Sequence, residues 1–190
     1  MERKQSTHAP QGAMTLVLSS CILGFLFLIT WYQFSREARV MINQTIVEDV
    51  QRLKKIFDTI HKECGIIDFD HEKNYIDFLT VKSFVGSQVG AMNLSNPEQW
   101  HGPYAQENLT VQAKLYEIVR TKHGYYIVPG NGVKLANGKI VGKDIVINQQ
   151  TDIDSLVNDS EGLEFEGKAL VAPVQAGKKV FVADIIQPDE

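Results

Sequence analysis

The run AMTLVLSSCILGFLFLITWY, Ala13 to Tyr32, continues directly into QFSREARVMINQTIVEDVQRLKKIFDTIHKEC, Gln33 to Cys64. The first part carries no charge over twenty residues. A helix rises about 1.5 Å per residue, so this part reaches about 30 Å, the thickness of a bilayer's hydrocarbon core. Trp31 and Tyr32 close it where an interfacial aromatic belt would sit, and Arg36 and Arg39 follow at once. Between Gln33 and Glu63 there is no Pro and no Gly, and the first strong breaker is Gly65. Ile46, Val50, Leu53, Phe57, Ile60 and Cys64 are spaced four, three, four, three, four, which sets them on one helical face. A transmembrane helix over 13–32 is therefore expected to continue as an amphipathic stalk helix over 33–64.

That face has two readings. It packs against the protein's own domain, or it pairs with a second helix as a short parallel coiled coil. The stripe lasts under three heptads, and Asn43 and Arg39 interrupt it upstream. Packing on its own domain is the expectation.

Working outward, Met1 to Gly12 is polar and holds Arg3 and Lys4 close to the span, which favours a cytoplasmic leader with Gln33 onward outside the cytoplasm. The apolar run is too long for a signal peptide. Leu18-Ser19-Ser20-Cys21 has the form of a lipoprotein cleavage box, but little apolar chain precedes Cys21 and membrane-compatible residues continue to Tyr32. Beyond the stalk, 65–190 is long enough for one extracytoplasmic domain with its own core. The net charge of −4 shows no basic face for nucleic acid. Cys21 and Cys64 lie roughly 65 Å apart along one helix, too far to pair.

Within the domain, Asp70 reads as a helix cap, followed by one short helix and a loop across Tyr75 to Asn93. From Val111 the signals are β. Leu115 to Arg120 and Tyr125 to Val128 flank Thr121-Lys122-His123-Gly124 as a hairpin. Val133 to Ala136 and Lys139 to Val141 flank Asn137-Gly138, a strong hairpin signal, and Asp144 to Ile147 continues as strand. Leu163 to Val171 and Lys179 to Ile186 read as a final pair, joined through Pro173 and Ala176-Gly177. A long helix followed by an antiparallel sheet is an α+β layout in which the sheet covers the stalk face.

Catalytic constellations are missing from the sequence. His8, His61, His71, His101 and His123 show no metal-ligand spacing with one another or with either cysteine. There is no G-x-S-x-G, and Pro129-Gly130-Asn131-Gly132 lacks the Lys-Ser/Thr of a phosphate loop. No enzyme activity and no cofactor are expected. Asp152, Asp154, Asp159 and Glu161 crowd one segment whose hard oxygens suit calcium, or form only a solvated acidic loop. Asn43-Gln44-Thr45, Asn93-Leu94-Ser95, Asn108-Leu109-Thr110 and Asn158-Asp159-Ser160 have the form of glycosylation acceptors, as in a type II membrane glycoprotein.

Two stretches resemble type IV pilin-like proteins. Gly12 followed by Ala13-Met14-Thr15-Leu16-Val17 resembles the G-F-T-L-I-E junction at which that family's precursors are cut. A Thr-Leu pair recurs one position later, as Thr15-Leu16, while Ala13 stands in place of Phe and Val17 in place of Glu. Pro97-Glu98-Gln99-Trp100-His101-Gly102-Pro103-Tyr104 resembles the P-x-x-W-x-G-P-Y loop of the major pseudopilin of type II secretion, with Trp100, Gly102, Pro103 and Tyr104 at their spacing. The family's later D-P-W-G is replaced by Gly130-Asn131-Gly132-Val133-Lys134-Leu135-Ala136-Asn137-Gly138-Lys139, so the resemblance is to a divergent member. It implies a pilin-like fold and cleavage between Gly12 and Ala13 by a prepilin peptidase, with N-methylation. It also implies a filament of like subunits or other pseudopilins, an inner-membrane assembly platform with its ATPase, a periplasmic domain and a role in protein transport. The alternative is a single-pass, membrane-anchored binding protein that forms no filament.

Overall fold

The first element is one helix, α1, over Gln11–Cys64. The computed structural model describes residues 11–159 and 162–177, with backbone alone at 11–16, 35–36 and 38–39. Arg3 and Lys4 fall outside the described residues, as does the expected strand over Lys179 to Ile186. The chain divides into two compact units, Met1–Val40 and Met41–Glu190. In the first, Val17–Phe34 is long and apolar enough to cross a membrane, and none of it is buried by protein. The Thr30 hydroxyl donates to the Leu26 carbonyl at 2.9 Å, which spares it an unmet donor in an apolar medium. Phe27 and Trp31 stack one turn apart, with ring centroids separated by 6.3 Å.

In the second unit the stalk stripe is covered. Ile46, Val50, Leu53, Phe57, Ile60 and Cys64 are all buried within the unit's single core cluster. The face is occupied by the protein's own domain, so no coiled-coil seam is left there. Asn43, read from sequence as an interruption, lies on the same stripe and is only 3% exposed. Its Oδ1 accepts from the Ala136 amide at 3.1 Å, so it extends the buried face in polar form. The helix stops at Gly65, whose φ of 67° is a left-handed cap and whose amide donates back to the His61 carbonyl at 3.0 Å. His61 Nδ1 then accepts from the Ile66 amide, so the first residue after the turn is also held.

The strands that follow are short: β1 Ile66–Phe69, β2 Lys73–Tyr75, β3 Gln88–Val89, β4 Met92–Leu94, β5 Thr110–Val111, β6 Lys114–Leu115, β7 Glu117–Thr121 and β8 Gly124–Val128. A 3₁₀ turn over Pro97–Gln99 precedes β5; helix α2, Ile153–Asn158, and strands β9 Glu164–Phe165, β10 Lys168–Ala169 and β11 Ala172–Val174 complete the described chain. The main sheet has the order β11-β8-β7-β2 and is antiparallel throughout. A second antiparallel sheet has the order β1-β4-β3. The protein is thus α+β, with an apolar N-terminal helix and antiparallel sheets.

Several sequence expectations are corrected. Tyr75 to Asn93 forms no helix, and Asp70 caps none. Ile76, Phe78 and Leu79 turn inward to the core while β3 and β4 make a hairpin that pairs with β1. Gly90, with φ of 57°, makes that turn because a Cβ would strike the Phe78 side chain at 2.5 Å. The Asp70 carboxylate instead accepts from Asn93 Nδ2 at 3.0 Å and from Gln88. The β7–β8 loop is tighter than expected, since Thr121 pairs with Gly124 and leaves only Lys122 and His123 to turn. Around Asn137-Gly138 the hairpin reduces to one bridge, Lys134 to Ile140. Asp144 to Ile147 makes a single parallel bridge from Val141 to Ile145; Ile145 and Ile147 face inward and Val146 outward, an alternation without a ladder. Leu163 to Val171 is not one strand but the β9–β10 hairpin, turned at Glu166 and Gly167 with positive φ at both. Pro173 lies inside β11, where the edge position tolerates its missing donor.

Candidate functional site

The expected structural loop is held from three sides. Trp100 is 8% exposed and packs edge-on against Tyr104 at 4.8 Å and Phe84 at 5.5 Å. Its indole Nε1 donates to the Val81 carbonyl at 3.1 Å, so the ring's only donor is satisfied. The Gly102-Pro103 peptide is cis. A Cβ at Gly102 would lie 2.2 Å from the Val81 carbonyl oxygen and 2.4 Å from the indole nitrogen, which explains a glycine at this point. The amides of Tyr104 and Ala105 both donate to the Leu79 carbonyl, at 2.8 and 3.1 Å.

Tyr104 joins this loop to the end of α1. Its hydroxyl donates to Glu63 Oε2 at 3.0 Å and accepts from the His101 amide at 3.4 Å. Burial raises the phenol well above its ordinary value, and the Glu63 carboxylate adds to that. Burial likewise raises the neighbouring Cys64 thiol, which keeps it protonated and unreactive. The loop thus fastens structure and offers no activated nucleophile. Trp100, Gly102 and Tyr104 meet in this loop, with the cis Gly102-Pro103 peptide between them. The Gly12–Ala13 junction lies at the start of α1, where only backbone is described.

The acidic segment is rearranged relative to expectation. Asp152 caps α2, its Oδ1 accepting from the amides of Asp154 at 3.1 Å and Ser155 at 3.4 Å. Asp159 stands at the other end of that helix, so Asp152, Asp154 and Asp159 do not converge, and Glu161 lies outside the described residues. What does converge, unread in the sequence, is His123 from the β7–β8 turn with Asp152 and Asp154: one ligand atom from each lies within 4.8 Å of the others. His123 Nε2 is 3.8 Å from Asp152 Oδ2. Such a trio can hold a divalent cation in principle, yet Asp152 already has a structural task as a cap. Burial raises the nearby Tyr126 phenol, with Asp154 and then Asp152 adding to the shift.

The four Asn acceptors differ in what they offer. Asn43 is buried, and a glycan there is incompatible with the packed stripe. Asn93 donates to Asp68 at 2.8 Å and to Asp70 at 3.0 Å, and Asn108 Oδ1 is buried. Asn158, in the last turn of α2, is exposed.

Two polar pairs were invisible in sequence because their members are far apart along the chain. The Tyr116 hydroxyl donates to Asp49 Oδ2 at 2.9 Å, and the backbone N–H of Asn131 donates to Glu117 Oε1 at 3.1 Å. Comparison of the chain with protein-family models, with curated proteins and with solved structures finds no match.

Proposed function

We propose that the protein is a pseudopilin-like structural subunit of a type II secretion or related pilus-type filament. The observation that carries this reading is α1. A single uninterrupted helix is apolar and unburied over Val17–Phe34, and its last turns, Ile46 to Cys64, lie in the core of an α+β domain. This division suits a subunit that waits in a bilayer and then exchanges lipid for neighbouring apolar helices, since the two environments are similarly apolar. The pinned Trp100–Tyr104 loop, tied to Glu63 on the same helix, supports the resemblance to the major pseudopilin. In this reading the domain projects from the membrane, and mechanical work comes from a partner ATPase.

Co-expression with a prepilin peptidase tests the proposal. The wild-type chain should shorten to begin at Ala13, and Gly12→Val should stay full length. If both chains remain uncut in the presence of an active peptidase, the subunit reading fails and a membrane-anchored binding protein takes its place.

A further inference from the structure

Beside the tip of the β7–β8 hairpin the chain crosses from one sheet to the other and leaves a groove. β11 pairs with β8 as far as Val174, opposite Tyr125. Three residues later the Gly177 amide donates to the Ile66 carbonyl of β1 at 2.7 Å. Next to this crossing lies a cavity of about 640 Å³. The hairpin from Arg120 to Tyr125 lines one part of it, Val174 to Gly177 another, and His61 from the last turn of α1 a third.

The lining is basic. Among the described residues no carboxylate lines the cavity, although the protein's net charge is −4. Arg120 pairs with Tyr125 across the hairpin, and its guanidinium lies over that ring, 5.7 Å from the centroid. Stacking occupies the face of the guanidinium and leaves its N–H edge for a carboxylate in plane. Lys122 is exposed in the turn that follows. Among the described residues neither Arg120 nor Lys122 forms an ion pair. His123 differs, since its Nε2 is 3.8 Å from Asp152 Oδ2, a carboxylate that does not line the cavity. His61 supplies a donor for another reason. Its Nδ1 accepts from the Ile66 amide at 3.2 Å, so the proton of the neutral ring sits on Nε2, and Nε2–H is equally a donor when the ring is charged.

We infer that this groove binds an acidic peptide segment of a partner protein. Arg120 takes one carboxylate in plane, and Lys122 and His61 meet others along the bound chain. The spacing favours an extended peptide over a single small anion. Arg120 and Lys122 stand two residues apart, about 7 Å in extended backbone, and acidic side chains at alternate positions of an extended peptide repeat at the same interval. Recognition of acidic segments by clustered basic side chains works in this way. Gly124 and Gly177, both in the lining, carry no side chain and so leave room for a main chain. The inference does not depend on the filament reading.

Fluorescence anisotropy tests it, with fluorescein-labelled hexaglutamate and the full chain in a non-ionic detergent. Hexaglutamate should bind at low salt and be released as salt rises, while hexaglutamine should not bind. Arg120→Gln should weaken binding about tenfold or more, and Lys122→Gln about two- to fivefold, with circular dichroism showing that both variants are folded. Lys143→Gln, outside the groove, should bind as the wild type does. No binding of hexaglutamate below about 1 mM overturns the inference. So does a folded Arg120→Gln that binds as tightly as the wild type, or an equal loss in Lys143→Gln, which would mark unspecific attraction. Displacement by inorganic phosphate at the peptide's own concentration also overturns it, because the groove would then be the site of a small oxyanion.

Discussion

Tyr116, fully buried at the start of the main hairpin, donates its hydroxyl to Asp49 on α1 at 2.9 Å. Burial raises the Asp49 carboxyl above its ordinary value, partly offset by this hydrogen bond and by Arg52. Because the folded value is the higher one, ionising Asp49 opposes folding. Its contribution to stability is therefore full at acid pH and declines as pH rises through the range just above the ordinary carboxylate value. Urea unfolding across this range should show Asp49→Asn gaining on the wild type as pH rises. A constant difference would contradict the assignment. Tyr116→Phe leaves the Asp49 oxygen without its donor and should cost about 1–3 kcal/mol at neutral pH.

The stalk stripe should behave as core. Phe57 packs edge-on against Phe69 at 6.3 Å and Phe78 at 6.2 Å. Phe57→Ala should destabilise the domain by about 3–5 kcal/mol in denaturant unfolding. Leu28→Ala, in the unburied apolar segment, should leave the domain's unfolding free energy unchanged.

Gly102 is predicted to be intolerant of any side chain. Gly102→Ala drives a methyl group into the Val81 carbonyl and the Trp100 indole, and should cost about 1–3 kcal/mol by strain. Trp100 fluorescence should shift red as the ring loses its seat. An unchanged spectrum and stability would show that the loop is less constrained than its geometry indicates.

Asn43 provides a polar test of the same face. Asn43→Ala leaves the Ala136 amide without its acceptor and should cost about 1–3 kcal/mol by thermal or chemical unfolding. In a glycosylating host, peptide mapping should find Asn43 unmodified, whatever is found at exposed Asn158.

The helix was legible because its signals are local and repeated: an uncharged run, then an apolar step of three and four residues, then Gly65. Asn43 was misread because the pattern counts it as polar, whereas a single backbone donor from Ala136 makes its burial tolerable. Tyr75 to Asn93 misled for a different reason. The expected short helix gives way to strands because Gly90 makes a turn against the Phe78 ring and β4 exists by pairing with β1. Asp152 stands out in the sequence as one of several nearby acids, but its capping of α2 and its approach to His123, which sits on a hairpin far back in the chain, are not written in that local pattern. The loop at Trp100 was legible as a motif. Its hydrogen bond to Glu63 was not, being a contact across 41 residues.

Whether the protein is a processed filament subunit is decided by the N-terminal sequence and intact mass of the protein taken from its native membrane. A pseudopilin-like subunit should begin at Ala13, with its amine methylated. A chain still beginning at Met1 would contradict it.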